Sequence, residues 1–61
     1  MPIVQIEMFE GRTLEQKREM VKEVTQALVR TVKCPPEAVT IVIREMNKED
    51  FAEVGLLYCD K

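Results

Sequence analysis

The chain is predicted to fold as an α/β subunit, a short β-α-β unit followed by a C-terminal hairpin. Three features of the sequence predict it: an alternating apolar run at 2–9, a capped amphipathic stretch opening at Thr13, and a second alternating run just after Pro35-Pro36. In Pro2-Ile3-Val4-Gln5-Ile6-Glu7-Met8-Phe9, the side chains of Val4, Ile6 and Met8 share one face, and those of Ile3, Gln5, Glu7 and Phe9 share the other. That period of two is a strand with one apolar and one mixed face. Glu10-Gly11-Arg12 follows as a turn. Thr13-Leu14-Glu15-Gln16 then fits the capping box, in which the threonine hydroxyl accepts from the amide three residues on and the glutamine side chain reaches back.

The helix is expected to start at Leu14. At about 100° per residue, Leu14, Met20, Val21, Val24, Ala27, Leu28 and Val32 fall within an arc of about 140°, the width of a core-facing stripe. Val29 lies outside that stripe and is expected to meet a neighbouring subunit. Pro35-Pro36 cannot continue the helix, and the residue before a proline is pushed out of the α region, so the helix ends near Lys33. The second strand begins at about Val39, with Val39, Ile41 and Ile43 on one face and Thr40, Val42 and Arg44 on the other. A right-handed crossover makes the two strands parallel. The tail from Asn47 to Lys61 carries Phe51, Val54, Leu56, Leu57 and Tyr58 around Gly55 with no helical period, which reads as a short hairpin or arm docked on another subunit.

Sixty-one residues make one domain, taken as 2–61 with Met1 removed. Folding a chain of this size hides about 6,000 Å², worth about 90 kcal/mol if about 60% is apolar, and ordering its residues costs about the same. A lone monomer is marginal, and two cysteines with no histidine leave disulfide and metal staples thin, so a homo-oligomer is expected. Cys34 and Cys59 read as reduced thiols. The net charge of −2, without a basic block, argues against a nucleic-acid partner. With no apolar run of about 20 residues and no signal-peptide order at the N-terminus, the expectation is a soluble cytoplasmic protein with no membrane partner.

The usual catalytic inventory is nearly empty. There is no histidine and no serine, the hydroxyls are Thr13, Thr25, Thr31, Thr40 and Tyr58, and neither a Gly-rich phosphate loop nor metal-ligand spacing occurs. What stands out is Pro2 directly after Met1. Removal of the methionine leaves a secondary amine whose reference pKa of about 7.7–8.0 is pushed toward neutrality by a nearby cation or by apolar burial. Such an amine can act as a general base without histidine. A proline can also open a strand for purely structural reasons.

Pro2-Ile3-Val4-Gln5-Ile6, Glu10-Gly11-Arg12-Thr13, Glu15-Gln16-Lys17, and Glu45-Met46 followed by Phe51 stand in the order and spacing of the 4-oxalocrotonate tautomerase family, which the chain resembles over essentially its whole length. The resemblance implies subunits that pair into a dimer with a four-stranded sheet, and three such dimers closing into a hexamer. It implies a cofactor-independent isomerase of small carboxylates such as 2-hydroxymuconate, a compound of aromatic degradation, with no metal. Pro2 would be the catalytic base, in a site lined by residues of adjacent subunits. Arg12 would bind the substrate carboxylate and Phe51 would form an apolar wall around the amine. The residues themselves agree: Arg12 lies in a turn rather than on a regular face, and guanidinium offers a planar fork for carboxylate. A solvated turn cation at Arg12 and a plain packing residue at Phe51 are the bland alternatives.

Two positions depart from the family pattern. Thr40 stands where better-known members carry a second substrate-binding arginine, and Arg44, on the same strand face, lies about 13 Å further along. Ala52-Glu53-Val54-Gly55 replaces a more glycine-rich, uncharged segment, with Glu53 read as a solvated rim residue in preference to a charge at the pocket mouth. Two other functions stay open on the sequence: hydration or hydrolytic dehalogenation of an unsaturated acid with Pro2 as a general acid, and a catalytically silent oligomeric scaffold. The first normally needs paired arginines, which Thr40 counts against.

Overall fold

The computed structural model describes all residues 1–61. Strand β1 (Ile3–Phe9) and strand β2 (Thr40–Met46) pair in parallel, in register from Ile3 opposite Thr40 to Phe9 opposite Met46. Helix α1 (Leu14–Val32) makes the crossover between them. A short antiparallel hairpin of β3 (Ala52–Glu53) and β4 (Leu56–Leu57) follows, completing the predicted order of elements.

The start of α1 is the predicted capping box. The Gln16 amide donates to the Thr13 hydroxyl at 3.1 Å, and the Thr13 amide donates to the Gln16 side-chain oxygen at 2.9 Å. An Arg18–Glu15 pair supports the first turn from the surface. Thr13→Ala is expected to lower stability by about 1 kcal/mol by leaving an orphan amide, a loss readable as a lower midpoint in denaturant. The helix stops at Lys33, which takes the left-handed conformation (φ 64°, ψ 44°), and Pro36 then opens a single 3₁₀ turn. The Val39 amide closes that turn on the Pro36 carbonyl at 3.1 Å instead of joining the ladder, so β2 begins one residue later than expected, at Thr40.

The register puts Val4, Ile6 and Met8 beside Ile41 and Ile43 on one sheet face. These side chains are half-buried, as are Met20, Val21, Val24, Ala27 and Leu28 of α1. An ion pair from Lys17 to Glu45, 2.6 Å long, ties the helix to the same face. Two members of the predicted stripe fall outside the contact: Leu14 is 60% exposed and Val32 56%. The reason is length, since a 19-residue helix spans about 28 Å whereas a seven-residue strand spans about 23 Å, and its ends overhang the sheet. Val29, off the stripe, is half-buried in a shallow groove with Thr25 and Pro36.

The opposite sheet face, with Ile3, Gln5, Glu7, Val42 and Arg44, is uncovered, and both outer edges of the two-stranded sheet are unpaired. No residue is fully buried. The radius of gyration is 14.8 Å, against about 10–11 Å for a compact domain of this length. A single subunit therefore has one helix-covered face and no closed interior. Cys34 is half-buried, Cys59 is exposed, and both are free thiols. No helix is long and apolar enough to cross a membrane.

Candidate active site

Pro2 sits immediately before β1. Its carbonyl accepts from the Thr40 amide at 3.0 Å, the bond that opens the parallel ladder. A proline has no amide hydrogen to offer a ladder, so the strand loses nothing by beginning with it. Thr40 is thereby held beside Pro2, and a neutral residue lies next to the expected base. Arg44 is four residues along β2, opposite Glu7, and is remote from Pro2 within the subunit.

Arg12 lies at the other end of the sheet. The Glu10 amide donates to the Met46 carbonyl at 2.9 Å, extending the ladder by one bond. Gly11 then turns the chain at φ 122°, a conformation that L side chains rarely adopt, and hands Arg12 to the helix cap. Arg12 is exposed and lines a depression of about 220 Å³ with Met8, Gln16, Lys17 and Met20. Lys17 is neutralised there by Glu45, whereas Arg12 forms no ion pair in the subunit, so its guanidinium is the free cation of the depression.

Phe51 stands at the same end. It follows a 3₁₀ turn at 48–50 in which the Glu49 amide donates to the Asn47 side-chain oxygen at 2.9 Å. Its ring meets Phe9 edge-on, with centroids 5.4 Å apart at 87°. A second depression, of about 370 Å³, is lined by Glu7, Met8, Phe9, Met46, Asp50 and Phe51, so Met8 borders both. Glu53 is an exposed hairpin residue paired with Lys61 at 2.9 Å, which neutralises its charge.

Of the three residues singled out from the sequence, Arg12 and Phe51 thus cluster at one end of the strands, while Pro2 lies at the other. Seven residue steps of strand take the chain from Pro2 to Phe9, about 23 Å. Sequence reasoning missed two side chains of the aromatic end. Phe9 appeared only as a member of a mixed strand face, and Tyr58 only as a hydroxyl and an apolar tail residue, yet both pack on Phe51. The usable signal was the hairpin: a two-residue turn at Val54-Gly55 places 58 opposite 51.

A family model described as "Tautomerase enzyme" matches residues 2–58. The chain belongs to the tautomerase family. Among relatives, a "Probable tautomerase" of Streptococcus pneumoniae is 54% identical over 55 residues, covering 90% of this chain and 92% of that protein. The 2-hydroxymuconate tautomerase of Bacillus subtilis is 44% identical over 55 residues, with 90% and 89% covered. Among solved structures, a 4-oxalocrotonate tautomerase isozyme from Methylibium petroleiphilum superposes with a TM-score of 0.90 at 42% identity, covering 97% of this chain and 92% of that one. The β-α-β unit with its terminal hairpin is thus the 4-oxalocrotonate tautomerase fold, and the tautomerase subunit described above carries its candidate residues at two separate ends.

Proposed function

We propose that the protein is a cofactor-independent tautomerase of small 2-hydroxy-dienoate or enol-pyruvate acids, with Pro2, freed by removal of Met1, as its general base. The observation that carries this reading is the combination of an unpaired Arg12 and the Phe51 wall at one sheet end, in depressions that share Met8, with Pro2 at the other end and free strand edges between them. Edge-to-edge antiparallel pairing of two copies about a twofold axis sets the start of one subunit's strand against the end of its partner's. Pro2 of one subunit then faces Arg12 and Phe51 of the other, and each dimer holds two such sites in a four-stranded sheet. Three dimers closing into a hexamer cover the apolar surface that the single subunit leaves exposed.

In this site Arg12 receives the substrate carboxylate as a planar, charge-assisted pair. The neutral amine of Pro2 removes the proton of the enolic hydroxyl, the oxygen forms the carbonyl, and the electron pair moves along the conjugated system to the carbon that will be protonated, while Arg12 offsets the added negative charge of the bound dienolate. The resulting ammonium returns the same proton to a carbon further along, giving the 2-oxo-enoate and regenerating the amine. Phe51 excludes water, which disfavours the charged form of the amine and keeps it basic but unprotonated near neutral pH. Thr40 beside Pro2 supplies a hydroxyl and no charge, so a second carboxylate on the substrate gains little.

The pH dependence of kcat/KM tests the assignment. A neutral base gives activity that falls as pH drops below the pKa of the Pro2 amine. Activity that instead falls as pH rises through that pKa identifies a protonated general acid, and absence of turnover on any enol acid identifies a scaffold. Either outcome overturns the proposal.

A further inference from the structure

The three aromatic side chains of the chain, Phe9, Phe51 and Tyr58, form one cluster. Phe9 and Tyr58 have centroids 4.9 Å apart, and Phe51 meets Tyr58 at 6.0 Å and 67°. The backbone fixes this arrangement. Ala52 pairs with Leu57 and Glu53 with Leu56, and the Tyr58 amide donates to the Phe51 carbonyl at 2.7 Å, the closing bond at the base of the hairpin. Opposite residues of an antiparallel pair put their side chains on the same face, so the turn at Val54-Gly55 sets the register that sends the Tyr58 ring against Phe51. Phe9, at the end of β1, touches both rings, so the three stand as a triangle.

We infer that Tyr58 is a positioning residue for the tautomerase reaction: its ring packs on Phe9, and the pair forms the support against which the Phe51 ring rests edge-on, so that the wall stands at a fixed height over the partner subunit's amine. This inference rests on the reading of Phe51 as that wall. An aromatic on a short hairpin after a 3₁₀ turn has few other restraints, and edge-on ring pairs have a preferred geometry that resists rotation. The contact is made by the ring of Tyr58. Its flanking charges are Lys48 and Lys61, 5.9 Å and 5.5 Å from the ring centroid, while Glu7 and Asp50 line the depression on the Phe51 side.

The test is a double-mutant cycle on the Met1-free oligomer, with Tyr58→Ala, Tyr58→Phe, Phe51→Ala and the Phe51→Ala/Tyr58→Ala pair. Tyr58→Ala is expected to lower kcat/KM about tenfold by letting the wall drift. It should also move the acid limb of the pH profile upward, because water reaching the amine relieves the desolvation that holds its pKa down. Tyr58→Phe, which keeps the ring, should stay within about twofold of the parent. In the Phe51→Ala background, Tyr58→Ala should cost nothing further and leave the limb where Phe51→Ala put it. Equal losses in both backgrounds mean a general structural role or a field effect of the released lysines, and no loss in the parent means no role; both overturn the inference while leaving the wall intact. A silent Phe51→Ala removes the wall reading itself, and the positioning role with it.

Discussion

Preparations that retain Met1 are expected to show no proline-dependent turnover, because acylation turns the Pro2 nitrogen into an amide whose lone pair is delocalised and no longer basic. Mass spectrometry of the intact chain beside an assay of enol-acid ketonisation separates the two forms. In the processed protein, Pro2→Ala leaves a primary amine, which is basic but free to rotate, whereas the pyrrolidine ring fixes the direction of the lone pair. The expected loss in kcat/KM is about a hundredfold or more, from lost orientation. Circular dichroism and the melting midpoint should not change, since the ladder uses only the carbonyl of residue 2. Full activity in a homogeneous Met1-retaining sample would refute the assignment of Pro2.

Arg12→Ala is expected to cost about 2–5 kcal/mol of transition-state stabilisation, read from the ratio of kcat/KM values, if the carboxylate pair is desolvated between subunits. The same substitution should leave stability nearly unchanged, because Arg12 is exposed and forms no ion pair within the subunit. That combination of a large kinetic and a small thermodynamic effect distinguishes a substrate ligand from a packing residue. A kinetic loss within about twofold would return Arg12 to a solvated turn cation.

Local signals in the sequence carried the fold because each element has its own chemistry. The alternation at 3–9, the reciprocal Thr13–Gln16 cap and the Pro35-Pro36 stop all appear in the structure within a residue of their expected places. The faces of the helix were legible over its middle turns and failed at Leu14 and Val32, since periodicity knows nothing of the width of the sheet beneath it. The candidate site was legible only as separate residues. That Phe9 and Tyr58 both pack on Phe51 depends on strand length and hairpin register together, and the placing of Thr40 beside Pro2 depends on a parallel register that no single element encodes.

The first bond of the ladder, from the Thr40 amide to the Pro2 carbonyl, has a consequence for maturation. It holds residue 2 by the side of the peptide unit that processing never touches. Met1 is 88% exposed and no hydrogen bond of the chain depends on it. Removal of Met1 is therefore expected to leave the ladder of the subunit intact. Under the proposed mechanism, the zymogen and the mature form are the same shape, and the switch between them is the hybridisation of one atom.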